Sequence, residues 1–165
     1  MEMRTEEMNL LTSNDSHSMI QTRRILVVDD DKMLRKMIER FLAVNYYRVV
    51  AVSNGIDGLR AVLKEDFDFI ICDMVMPKMP GDMFYLSLKK MKPRLCSRFI
   101  FITGYAGDPK INNFIKSVNG IVLLKPFQME DLLEAINLVQ VDIPHRHGVN
   151  NFSPNIGSDQ LPTLR

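Results

Sequence analysis

The chain has 165 residues, of which 46% are hydrophobic and 25% charged, enough for one globular domain with its own core and too few to expect a second. Its 21 basic and 20 acidic residues leave a net charge of +1, which excludes bulk electrostatic recruitment by nucleic acid or an anionic membrane. Only two cysteines occur, Cys72 and Cys96, in no CxxC or Cys/His ligand spacing, so neither a disulfide framework nor a zinc site is expected and a reducing cytoplasm fits.

Residues 1–22 are polar, rich in Met, Ser, Asn and Thr and without sustained periodicity, and read as a flexible N-terminal arm. Glu2, Glu6, Glu7 and Asp15 interrupt its short apolar pieces, unlike the basic start and apolar core of a secretion signal. Ile25 to Val28 then forms a strand-sized aliphatic run, and Met33, Leu34, Met37, Ile38, Phe41 and Leu42 follow at helical spacing. Tyr47 to Val52 reads as a second strand, and Ser53-Asn54-Gly55 opens a helix marked by Ile56, Leu59, Val62 and Leu63. Phe67 to Cys72 predicts the third strand and Met83 to Met91 a helix that Pro93 stops. Phe99 to Ile102, Ile111 to Val118, Ile121 to Leu124 and Met129 to Val139 continue as strand, helix, strand and helix. Residues 141–165 hold three prolines and two glycines among Asn and Ser, and read as a flexible C-terminal tail. His145 and His147 lie there without the further ligands a metal site needs.

Five strands alternating with five helices require crossover connections, which lay helices on both faces of a parallel sheet. Such a sheet needs strands apolar on both sides, and ILVV, FIIC, FIFI and IVLL are uninterrupted. The expected class is a three-layer α/β/α sandwich over residues 23–140, with no run long enough to span a membrane.

Ligands of open parallel sheets bind beyond the carboxyl ends of the strands. Here those ends carry Asp29-Asp30-Asp31, Asp73, Thr103-Gly104 and Lys125-Pro126. If the first and third strands are neighbours, Asp29, Asp30 and Asp73 converge, and their mutual repulsion calls for a cation. Oxygen-only ligands favour a hard divalent ion, Mg²⁺ (or Mn²⁺) for phosphate chemistry. A carboxylate can attack phosphorus to form an acyl phosphate, Lys125 can pair with the product, and the Thr103 hydroxyl can hydrogen-bond it. Gly104 leaves space for a donor to approach Asp73 in line.

In this order and spacing, ILVVDDD, IICDMVMPKMPG, FITGYA and LLKPF resemble response-regulator receiver domains over residues 23 to 140. That resemblance implies a flavodoxin-like (βα)5 fold with strand order 2-1-3-4-5. It also implies Asp73 as phospho-acceptor and Mg²⁺ held by Asp30, Asp73 and the Val75 backbone carbonyl, with Asp29 acting mostly through water. Thr103 takes the switch role, Lys125 the phosphate-pairing role, and Lys125-Pro126 is expected to be cis. The implied role is a single-domain response regulator in two-component phosphorelay signal transduction, loaded by a sensor histidine kinase or phosphotransfer protein and acting on an unknown downstream protein. It is expected to be a phospho-acceptor rather than a turnover enzyme, with no direct DNA binding and no membrane attachment.

Two positions depart from the family pattern. Val122 stands where an aromatic residue usually precedes the conserved lysine by three positions, so the usual readout is expected to be weakened or rerouted. Val75 and Tyr105 offer no acid or amide to position a hydrolytic water, so a long-lived phosphoryl group is expected. Two rival readings are a phosphorylation-independent interaction module, which Val122 favours, and an Asp-nucleophile phosphatase. The latter expects a second acid two residues after Asp73, where Val75 stands.

Overall fold

A computed structural model describes residues 22–141; the arm through residue 21 and the tail beyond Val141, with His145 and His147, lie outside the described residues. The strands are β1 (Arg24–Val28), β2 (Arg48–Val52), β3 (Phe69–Asp73), β4 (Phe99–Thr103) and β5 (Ile121–Leu124). The helices are α1 (Lys32–Val44), α2 (Gly55–Lys64), α3 (Gly81–Met91), α4 (Pro109–Val118) and α5 (Met129–Val141). All strand pairs are parallel and the order is β2-β1-β3-β4-β5, as the resemblance implied.

Side chains alternate between the two faces of the sheet because a strand repeats every two residues. Ile25, Val27, Phe69, Ile71, Ile100 and Ile102 point to one face, where Ile38 and Leu42 of α1 and Leu132, Ala135 and Ile136 of α5 cover them. Leu26, Val28, Ile70, Cys72, Phe99 and Phe101 point to the other, beneath Val62 of α2, Phe84 and Leu88 of α3 and Ile115 of α4. Burial on both faces explains why β3 and β4 carry no polar residue before their last position. The Cys72 thiol is fully buried there and desolvation pushes its pKa up, so it is an inert core residue.

Strand β3 starts two residues later than the apolar run suggests. Asp68 instead closes a backbone exchange with β1: the Arg24 amide donates to its carboxylate at 2.8 Å and its own amide donates to the Arg24 carbonyl at 2.7 Å. A short 3₁₀ helix, Pro93–Arg98, fills the connection after α3 and was not foreseen, because six residues carry too little period to read. Helix α5 ends at Val141, two residues past the expected Val139.

Helix α1 is capped by Asp31, whose carboxylate accepts the amides of Met33 at 2.8 Å and Leu34 at 3.1 Å. The amides of Leu34 and Met33 hold that carboxyl below its ordinary value of 3.8. A lowered folded-state value means the cap contributes above 3.8 and is lost as pH falls through the folded value. Asp31→Ala is therefore expected to lower the urea midpoint at pH 7, and the difference from wild type should shrink on acidification below pH 4.

Candidate functional site

Parallel pairing places Val28 of β1 beside Cys72 of β3, so the next residues, Asp29 and Asp73, leave the sheet side by side. One carboxylate oxygen from each of Asp29, Asp30 and Asp73 lies within 4.8 Å of the others. Asp29 and Asp73 are buried, whereas Asp30 is exposed at the mouth. The convergence expected from the strand ends is therefore present.

Each oxygen of the buried pair has a defined partner. Asp29 Oδ1 accepts the Asp31 amide at 2.7 Å, and Asp73 Oδ1 accepts the Val75 amide at 2.9 Å. Lys125 Nζ, arriving from the end of β5, donates to Asp29 Oδ2 at 2.9 Å and also to Asp73 Oδ2. The cis Lys125-Pro126 peptide turns the chain at this point, as the resemblance implied. Burial raises the Asp29 pKa above the carboxylate norm, despite hydrogen bonds from Lys125 and the Asp31 amide that oppose it. Burial acts to lower the Lys125 value, but the two carboxylates outweigh it and hold the ammonium charged.

Thr103 closes the pocket from the end of β4, fully buried, with its hydroxyl oxygen accepting the Tyr105 amide at 3.1 Å. The hydroxyl proton is thereby left to donate elsewhere. The Lys125 amide donates to the Thr103 carbonyl at 2.8 Å, tying the two strand ends together. A methyl placed on Gly104 would meet only the Lys125 Cβ, 4.0 Å away, so the space beside Thr103 is open. Val75 lies on the loop after Asp73, its side chain exposed and its amide donating to the Asp73 carboxylate.

Two participants escaped the sequence reading. Arg35, on the first turn and a half of α1, donates through Nη1 to the Asp29 carbonyl and pins the strand end from behind. Gly81, at the start of α3, packs where a Cβ would fall 2.5 Å from the Asp73 carbonyl oxygen and 3.0 Å from the Met74 Cα. The PG pair in the loop motif was visible as a turn, but nothing in the sequence alone places that turn against Asp73.

Three carboxylates facing one lysine carry more negative than positive charge, and all the donors are hard oxygens. The residues present thus suit a small divalent cation, with Asp29, Asp30 and Asp73 as the side chains to hold it.

Known proteins similar to this chain in sequence and fold are receiver domains and response regulators. The sequence profile described as "Response regulator receiver domain" matches residues 25–137. Over 114 residues the chain is 30% identical to the response regulator receiver protein CpdR of Brucella abortus, covering 69% of this chain and 93% of that protein. It is also 30% identical over 115 residues to the chemotaxis protein CheY of Bacillus subtilis, covering 69% of this chain and 94% of that protein. A sensor kinase of Brucella abortus, CckA, shares 30% identity over 114 residues, but these make up only 12% of that protein. Among solved structures, the chemotaxis response regulator CheY4 of Vibrio cholerae superposes with a TM-score of 0.64 at 29% identity, covering 72% of this chain and 98% of that one. A receiver domain protein from Clostridium thermocellum gives 0.62 at 31% identity, covering 71% and 93%. With a family match over most of the described residues, the matching strand order and the acidic pocket in place, this chain belongs to the response regulator receiver domain family of two-component signalling.

Proposed function

We propose that Asp73 is the phospho-acceptor of a single-domain response regulator in the cytoplasm. Its phosphoryl group comes from a phosphohistidine of a sensor histidine kinase or phosphotransfer protein, and it signals through contact with a downstream protein. The observation that carries this reading is the meeting of three carboxylates within 4.8 Å, with Lys125 bridging the two buried ones. Receiver domains as a family are phospho-acceptors rather than turnover enzymes, and histidine kinases are their usual partners.

In this reading an Asp73 carboxylate oxygen attacks phosphorus, the donor imidazole leaves, and the product is an acyl phosphate. Asp29, Asp30, Asp73 and the Val75 carbonyl would hold Mg²⁺ (or Mn²⁺), which when bound would supply charge neutralisation for the phosphoryl oxygens. Because the Val75 amide and Lys125 each hold one oxygen of Asp73, the carboxylate presents a fixed face and needs little reorganisation. Lys125 is placed to follow the negative charge onto the phosphoryl group, and the Thr103 proton is free to donate to it. The open space at Gly104 admits a bulky donor.

Direct DNA binding has no part in this reading, and no helix among the described residues is long and apolar enough to cross a membrane. Val122 packs against the interior cluster that contains Phe101 and Ile115, with no ring to swing as Thr103 moves. The downstream signal therefore takes a weakened or rerouted path. The phosphorylation-independent reading rests on Val122 alone.

Incubation with acetyl phosphate and Mg²⁺ followed by intact-mass measurement tests the proposal. Wild type should gain one phosphoryl group, and Asp73→Asn or wild type with chelator should gain none. Equal modification of wild type and Asp73→Asn would refute it. In the same loaded sample, decay should take minutes or longer, because no acid or amide at Val75 or Tyr105 positions water; a half-life of seconds would contradict that.

A further inference from the structure

Helices α1 and α5 cover the same face of the sheet and carry opposite charge. Helix α1 holds Lys32, Arg35, Lys36 and Arg40 against one acid, Glu39, whereas α5 holds Glu130, Asp131 and Glu134 and no lysine or arginine. Along the outer side of each helix the same four-residue spacing recurs, with Lys36, Arg40 and Val44 on α1 and Glu130, Glu134 and Leu138 on α5. All six are exposed, and none of the four charges is in an ion pair among the described residues. Met33 and Met37 widen the α1 ridge at 68% and 53% exposure, and Val44 and Leu138 end the two ridges at 78% and 40%. Each helix thus presents the complement of the other, two charges of opposite sign followed by an exposed aliphatic residue.

The two helices also match in direction, length and level. Every strand is parallel, so α1 and α5 both run back from the carboxyl edge of the sheet, and each has 13 residues, about 20 Å. Gln140, beside the end of α5, donates through Nε2 to the Tyr47 hydroxyl just past the end of α1 at 3.4 Å, which sets the two ends at a similar height. A two-fold axis parallel to the helices and midway between them therefore lays each α1 on the α5 of a second copy without shifting either along its length. Lys36 and Arg40 then meet Glu130 and Glu134 of the second copy, Val44 meets its Leu138, and the symmetry makes the exchange twice. Packing α1 on α1 would instead set cations against cations. We propose that this face is the contact between two copies of the chain. Its footprint, roughly 20 Å by 20 Å, is at the small end of specific interfaces and fits a reversible dimer with a dissociation constant of about 10–100 μM. Dimerisation of this kind goes beyond the phospho-acceptor reading and does not depend on it.

Sedimentation equilibrium of the full, unphosphorylated chain tests the contact. Wild type should pass reversibly from monomer to dimer between about 5 and 500 μM, and added salt should weaken the association. Lys36→Glu/Arg40→Glu and Glu130→Lys/Glu134→Lys should each weaken self-association at least about tenfold, because each sets like charges together at both halves of the contact. An equimolar mixture of these two variants should dimerise within about threefold of wild type, since every pairing is again of opposite sign. Should either double variant unfold, Arg40→Gln and Glu134→Gln read the same contact by neutralisation, each weakening it about threefold. Wild type that stays monomeric to about 500 μM overturns the proposal and leaves the face to a different protein. A dimer that charge reversal on neither helix weakens also overturns it, as does a mixture that stays monomeric.

Discussion

Lys125→Met should destabilise the protein by about 2 kcal/mol in the presence of a chelator. Methionine keeps most of the aliphatic stem and removes the charge, so the loss reports the ammonium rather than packing. Its two partners are almost wholly buried, with side-chain exposures of 1% for Asp29 and 8% for Asp73. Breaking a buried pair by removing one partner typically costs about 3–5 kcal/mol, and the partial exposure of Lys125 reduces this. The thermal midpoint should fall by roughly 5–10 °C. Millimolar Mg²⁺ should recover most of that loss, because the same carboxylates then have another counter-charge. Mg²⁺ should stabilise this variant more than wild type, since the lysine no longer shares those oxygens. Phosphoryl uptake should nevertheless fall at least tenfold, equivalent to about 1.4 kcal/mol, because no cation follows the charge onto the product. Unchanged stability in chelator would show that Lys125 is not the counter-charge of the pocket.

The second large effect lies at a residue with no chemistry of its own. Gly81→Ala puts a methyl 2.5 Å from the Asp73 carbonyl oxygen, a contact that only backbone movement relieves. Overpacking costs typically 1–3 kcal/mol, and a backbone obstacle places this substitution near 3 kcal/mol. The movement displaces Asp73 itself, so the folded fraction should also lose phosphoryl uptake. Gly104→Ala is the matched control: its methyl meets only the Lys125 Cβ at 4.0 Å, so stability should change by less than about 0.5 kcal/mol. Urea denaturation of both variants checks the pair, and equal losses would mean that close packing at Gly81 is not what distinguishes them.

The difference between these glycines shows what the chain alone reveals. Strand and helix order was legible because a doubly covered parallel sheet writes itself as runs such as FIIC and FIFI, and the helices between keep their period. The candidate site was legible because parallel strands deliver their last residues to one edge, so Asp29, Asp73, Thr103 and Lys125 could be gathered before any distance was known. The strand order did not follow from the pattern and came from the family resemblance. Gly81 and Gly104 look alike in sequence, and only the fold brings the Asp73 carbonyl over one of them. Arg35 is likewise hidden, because a basic residue on an exposed helix turn is ordinary and its target is a backbone carbonyl six residues earlier. The beginning of β3 was misplaced because Phe67 continues the apolar run while Asp68 diverts the backbone to Arg24.

The raised value of Asp29 is a stability cost of the metal-free fold at neutral pH, opposed by the raised value of Lys125. Burial raises Asp29 despite its hydrogen bonds, so the metal-free fold gains stability when Asp29 is protonated and loses it as pH rises through the raised value. A bound divalent cation removes that penalty, which ties stability to the same oxygens that would receive a phosphoryl group. Signal output is less constrained, since Val122 offers no ring and the matched stretch occurs both in small regulators and within a large sensor kinase.

Reductive trapping at Asp73 tests the central claim most directly. Borohydride cleaves an acyl phosphate to the alcohol, turning a phosphorylated aspartate into homoserine that peptide mass spectrometry places in the chain. After loading with acetyl phosphate and Mg²⁺, homoserine should be found at position 73 and at no other acidic residue. Homoserine at another position, or a phosphoryl group that resists reduction, would contradict the account.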